Sequence, residues 1–209
     1  ELPNVIEKID LIANSKSAFI SQDIKNEAFS HSSEKILDYC VATLDFTNGV
    51  RYFMLNKKRM KQQNFKLNAF FYMTQHYFVA YFYFHLKEYK NAIKHIKITL
   101  DDFKPETRLL TYMCAKMLNI LIQFELSNFE LIPYLLKSTE RLLKLNQIDY
   151  QSFYFTDALL KKITPTTSKK EKNNLFATYL SQLNNLTDTS DIAFANDIGL
   201  FFWAKEKLK

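Results

Sequence analysis

Four histidines, two cysteines and one Ser-His-Ser-Ser-Glu run are the residues whose types could do chemistry in this 209-residue chain, and their spacing serves none. A helix that binds a metal presents histidines one turn apart, or an HExxH pattern, and His31, His76, His85 and His95 offer neither. His76 and His85 stand nine apart on one helical segment, on different rows, which suits a hydrogen bond to a neighbouring helix or exposure in a groove. Ser30-His31-Ser32-Ser33-Glu34 has the letters of a nucleophile and its base. Neighbours in sequence rarely form a catalytic unit, however, and the same residues make an ordinary helix cap. Cys114 lies on an apolar helical face with only Lys116 nearby, so it reads as a small buried hydrophobe rather than a thiolate. The only glycines are Gly49 and Gly199, so neither GxxxxGK nor GxGxxG occurs and phosphate loops are excluded. Asp101-Asp102 sit at a helix end, where solvation accounts for them. No enzyme activity, metal or cofactor is expected from these residues.

The elements that position them are helices. Around residues 77–105 a helix ends near Leu86 and a second begins around Glu88, with Tyr89, Ala92, Ile93, Ile96 and Leu100 on one face of 3.6 period. So short a joint forces antiparallel packing. Ala80 and Ala92 allow the backbones to approach, Tyr83 and Tyr89 fill the space beside them, and Pro105 stops the pair. A second, looser copy follows: 118–126, then Ser127-Asn128-Phe129, then Ile132, Leu135, Leu136 and Thr139. Phe129 falls 40 residues after Tyr89. Pro133 lies in the first turns of its helix, where a missing N–H costs little.

At Ala80, Tyr83, Ala92, Ile96 and Thr99 the chain resembles the tetratricopeptide repeat (TPR), with His76 where that pattern prefers Trp and Lys104 one residue before the expected Pro. The second copy departs further, with Asn119-Ile120 and Ile132 in place of small residues, and the spacing exceeds the usual ~34. Residues 108–143 and the closing Phe201-Phe202-Trp203-Ala204-Lys205-Glu206-Lys207-Leu208 are also similar to the C-terminal part of uncharacterised bacterial TPR-like proteins, so the resemblance spans roughly residues 65–209. It implies an all-α fold, a right-handed α-α superhelix or TPR-like α-solenoid of antiparallel helix pairs, closed by a C-terminal capping helix. Residues 1–64 would be its N-terminal helices, 65–163 the TPR-like pairs and 164–209 the capping helices, in one continuous domain.

Composition agrees with helices. Two glycines and four prolines near proposed boundaries leave out the turn punctuation of an all-β chain. The formal net charge is +6, but only Arg51, Arg59, Arg108 and Arg141 are arginine. The lysine excess accompanies abundant Asn, Ile, Phe and Tyr, a pattern of AT-rich coding, which argues against nucleic acid as the partner. Cys40 and Cys114, 74 positions apart without a CxxC, point to a reducing, cytoplasmic compartment. The apolar stretch 69–86 contains Thr74, Gln75, His76 and His85, so no membrane span is expected. A start at Glu1-Leu2-Pro3 reads as a processed chain or, in preference, as an excised C-terminal piece of a longer protein.

Along the chain, residues 3–14 (Val5, Ile6, Ile9, Ile12, Ala13, started by Pro3) and 17–29 predict two short helices. Ser32 or Ser33 caps a third, carrying Ile36, Leu37, Cys40, Val41 and Leu44 and stopped by Asn48-Gly49. A β-hairpin through that Asn-Gly is the alternative, disfavoured by the helix-forming residues 57–63. The helix over 65–86 has nine aromatics between Phe70 and Phe84 and is apolar nearly all round, which makes it the centre of a core. Later helices are predicted over 88–103, 106–126, 129–145 and 148–163. After the linker-like, locally basic 164–168, helices over 169–186 and 189–208 finish the chain, Trp203 pinning the last.

The TPR resemblance implies a concave face lined by Thr74, Tyr77, Tyr81, Phe84 and His85, continued by Cys114, Met117, Leu121, Phe124 and Glu125. Tyr77 and Tyr81 stand where chaperone-binding TPR domains carry the Lys and Asn that hold a carboxylate, which implies instead an apolar or helical ligand, or a neighbouring part of its own longer chain. The expected function is a non-catalytic protein–protein interaction scaffold binding a protein or peptide partner. The alternatives are a sensor or regulatory segment of a larger signalling or transcription regulator, and nucleic-acid binding through lysines around 57–66 and 161–172. Partner, pathway and oligomeric state stay open.

Overall fold

The structure, a computed structural model, describes residues 8–9, 11–17 and 19–209, and among them it is helical with no β-strand. The elements are α1 (Gln22–Ala42), α2 (Phe46–Gln63), α3 (Ala69–His85), α4 (Tyr89–Asp101), α5 (Leu109–Glu125), α6 (Ile132–Leu145), α7 (Gln151–Ile163), α8 (Lys169–Asn184), α9 (Thr189–Ile198) and α10 (Leu200–Lys207). Short 3-10 turns at Pro105–Thr107 and Phe129–Leu131 lead into α5 and α6. Two compact units divide at Thr111 and Tyr112, in the first turn of α5. Residues 164–168 are a connection inside the second unit.

In the first unit α3 packs against α1, α2 and α4, and buries eleven of its seventeen residues, the central place its composition requires. Ala80 and Ala92 are fully buried in the α3–α4 hairpin. The joint is three residues long. Leu86, Lys87 and Glu88 donate their N–H groups to Phe82, Phe84 and Tyr83, with Lys87 in the left-handed region at φ 62°. Forty residues on, Leu126, Ser127 and Asn128 donate to Ile122, Phe124 and Gln123, with Ser127 at φ 60°. The α1–α2 joint closes in the same way, Thr43, Leu44 and Asp45 donating to Tyr39, Val41 and Cys40. Each joint satisfies the last carbonyls of its helix by the left-handed turn that usually takes glycine, here built from other residues.

The N-terminal expectations need correction. Pro3, Val5 and Ile6 lie outside the described residues, while residues 8–9 and 11–13 are helical and Ile9 and Ala13 join a cluster with Ala28, Phe29 and Phe65. The two helices expected over 17–29 and from Ser32 or Ser33 are one helix, α1, capped by Ser21, whose side chain accepts from the Ile24 N–H. Ser32 and Ser33 are buried inside it, because the apolar face of Phe29, Leu37 and Cys40 runs through them without a break. Among the described residues Ser33 Oγ has no hydrogen-bond partner. Ser33→Ala should therefore hold or raise stability by up to ~1 kcal/mol, whereas Ser21→Ala should cost about 1 kcal/mol. Urea titration of the two variants checks this. A loss at Ser33 as large as that at Ser21 would restore the cap at Ser33.

Asn48-Gly49 is neither a helix stop nor a hairpin turn, since both residues lie in the first turns of α2, which Asp45 caps. Gly49 is there for space: a Cβ would meet the fully buried Phe82 ring at 2.5 Å. The other glycine takes the left-handed role. Gly199, at φ 79°, breaks the single helix expected over 189–208 into α9 and α10.

In the second unit α7, α8, α9 and α10 pack together, with Phe153, Leu160, Phe176, Tyr179, Phe194 and Trp203 in the core. Tyr150 begins α7 without a side-chain cap. Asp191 of α9 supplies it, accepting the N–H and the hydroxyl of Ser152, both residues buried. Lys116 of α5 donates to Ser138 of α6 at 2.8 Å.

Candidate interaction site

The residues expected to line a concave face fall in two groups. Thr74, Tyr77, Tyr81 and Phe84 of α3 are all buried, and so are Cys114, Met117 and Leu121 of α5. His85 and Phe124 are partly exposed. Most of these side chains are therefore covered, and for those of α3 the contacts within the first unit show by what. Thr74 donates its hydroxyl to the Phe70 carbonyl and accepts Arg108 Nη1 at 2.7 Å. Arg108 also pairs with Glu34 at 2.6 Å and lies 4.1 Å from the centre of the Phe70 ring. That makes Thr74 one corner of an ion-pair clamp between α1, α3 and the segment before α5. The Tyr81 ring packs edge-on to Phe46 and His85, the His85 ring stacks on Phe46 at 4.8 Å, and Phe84 faces Tyr89.

Phe124 and Glu125 do meet a helix, and it is the chain's own. Glu125, its side chain 8% exposed, accepts Trp203 Nε1–H at 2.7 Å and holds Lys207 Nζ at 2.6 Å. Trp203 and Lys207 are one turn apart on α10, so a single face of that helix delivers both. The Trp203 ring stands edge-on to Phe124 at 5.9 Å, with Phe176 and Tyr179 closing its other sides. Trp203 thus anchors the last helix, as its place beside Phe201 and Phe202 suggested.

Several of the residues with chemical potential have partners nearby. Ser30 and Ser32 donate to the carbonyls of Asn26 and Phe29, and the His31 ring is edge-on to Phe71. Burial, with Asp45 adding, pushes the Cys40 thiol up to about 11, and no disulfide links it to Cys114. Among the described residues no three His, Cys, Asp or Glu side chains gather as metal ligands, and no helix is long and apolar enough to cross a membrane.

One pairing was only half legible. His76 does bond to a neighbouring helix, and its partner is His95 of α4, the two Nδ1 atoms 2.9 Å apart. One ring must donate and the other accept, so the accepting ring must be a neutral imidazole. Burial, the neighbouring His95 and the Lys57 ammonium hold His76 down at about 4. Burial, Lys57 and Lys94 do the same to His95. The rings of Phe53, Tyr72 and Tyr83 wall the pair.

The exposed apolar side chains lie elsewhere than expected. On α6, Leu131 at its entry, Tyr134 and Leu145 face out on one side, while Ile132, Leu136, Thr139 and Leu143 face in. On α2, Tyr52, Met54 and Leu55 are exposed, opposite the buried Phe46, Gly49, Phe53 and Asn56. The period of the buried positions is the signal that could have shown this. No family model, no curated protein and no solved structure matches the chain.

Proposed function

We propose that this chain is a non-catalytic interaction scaffold of TPR type, whose helix pairs stack as a right-handed superhelix and which takes a peptide or helix of a protein partner. The observation that carries the reading is the way Phe124 and Glu125 receive α10: an aromatic ring and a cation one turn apart on a helix, held by an aromatic face and a carboxylate. That is helix-in-groove recognition in miniature. The recurrence of one joint after α1, α3 and α5 supports the repeat reading, because like joints turn successive helix pairs alike. Buried Tyr77 and Tyr81 act in this scheme as the packed floor rather than as ligand contacts.

Selection from a displayed library of helix-forming peptides against the whole chain tests it. Ligands of about micromolar affinity, helical when bound and protecting one continuous face from hydrogen exchange, are the expected result. A library from which nothing is retained would remove the scaffold reading.

A further inference from the structure

We infer that the outward face of α2 is a docking surface for an acidic, amphipathic helix of a protein partner, which rests on the scaffold reading and names the partner's chemistry. No Asp or Glu occurs from Phe46 through Lys87, while Arg51, Lys57, Lys58, Arg59 and Lys61 all fall on α2. The side chains of Arg51, Lys57, Lys58 and Lys61 are exposed, and none has an ion-pair partner among the described residues. Between them stand Met54 and Leu55, exposed by 56% and 44%. Four exposed cations on one helix, none of them ion-paired among the described residues, give the face a positive potential that physiological salt screens only beyond about 8 Å.

Charge and shape together choose the occupant. The outward positions 51, 54, 55, 58 and 61 recur with the helical period, so the surface is a ridge of apolar side chains edged by cations, and another helix lies naturally along such a ridge. Its leucine-like residues would cover Met54 and Leu55, and its carboxylates would meet Arg51, Lys58 and Lys61. A flat anionic bilayer meets the long lysine heads first and leaves the shorter apolar side chains short of the acyl region. A nucleic-acid backbone answers the cations but gives Met54 and Leu55 nothing to contact, and Arg51 is the one exposed arginine here for planar recognition.

The peptide selection is read by sequence and then by fluorescence anisotropy with two variants, Lys58→Glu/Lys61→Glu and Met54→Ser/Leu55→Ser, both on exposed positions and each checked by thermal melting. Enriched peptides should be acid-rich with apolar residues every three to four positions. The charge reversal should weaken them about tenfold or more and flatten their salt dependence, and the serine pair should weaken them comparably. Peptides that are neutral or basic, or that bind both variants as they bind the parent chain, would overturn this surface while leaving the scaffold reading in place. An empty selection would remove both. Phosphatidylserine vesicles or a short DNA duplex bound more tightly than any peptide, and released by the charge reversal, would assign the face to lipid or nucleic acid instead.

Discussion

Trp203→Ala should destabilise the second unit by about 3–5 kcal/mol, the range of a large aromatic removed from a packed core. The ring touches Phe124, Phe176 and Tyr179 at centroid distances of 5.9, 5.3 and 6.2 Å, and little of it reaches solvent. Its loss opens a cavity and removes a donor from Glu125, leaving that largely buried carboxylate with Lys207 as its charged partner. Trp203→Phe separates the two effects. It keeps most of the packing and deletes the indole N–H, so about 1–2 kcal/mol should be lost. Because Trp203 is the only tryptophan, the measurement is urea unfolding followed by far-ultraviolet circular dichroism. A loss below about 1 kcal/mol in the alanine variant would mean that α10 is not anchored at this ring. If α10 is released without general unfolding, hydrogen exchange will report it as local opening of α10.

The second large effect is acid sensitivity of the first unit. His76 and His95 sit at about 4 in the folded chain, below the ordinary value near 6.5 that they regain on unfolding. The unfolded chain therefore binds more protons between these limits. The pair's contribution to stability is full above pH ~6.5, falls as the pH drops towards ~4 and levels off below. The physical cause is specific: a first proton puts charge beside Lys57 and Lys94 within a ring of aromatic walls, and a second, on the accepting Nδ1, destroys the His76–His95 hydrogen bond. The two rings titrate as a pair, so one broad transition is expected. His76→Leu/His95→Leu should flatten the dependence of unfolding free energy on pH between ~6.5 and ~4 relative to the parent chain. Equal slopes in the two proteins would show that the pair is not the source. The comparison cancels the carboxylates, which contribute equally to both.

The parts of this molecule legible in the residues alone are those that obey local rules. Ala80 and Ala92, the three-residue joint at Lys87 and the stop at Pro105 describe the α3–α4 hairpin without knowledge of anything beyond it, since helix period, small-residue contact and proline geometry act over a few residues. The run of rings from Phe70 to Phe84 identified a central helix for the same reason. What stayed hidden depends on what stands opposite in space. Gly49 and Gly199 look equivalent in sequence, yet one sits in an ordinary helical turn because the Phe82 ring needs its space, and the other takes the left-handed turn between α9 and α10. Ser33 has the credentials of a cap and lies in mid-helix, because the apolar face of α1 continues past it. Thr74 and Glu125 read as groove residues until Arg108, Trp203 and Lys207 arrive from 34, 78 and 82 positions away. Local propensity set the helices and their joints. Only the tertiary structure decided which faces remain for a partner, because burial is a property of pairs of surfaces and one strand of letters carries only half of each pair.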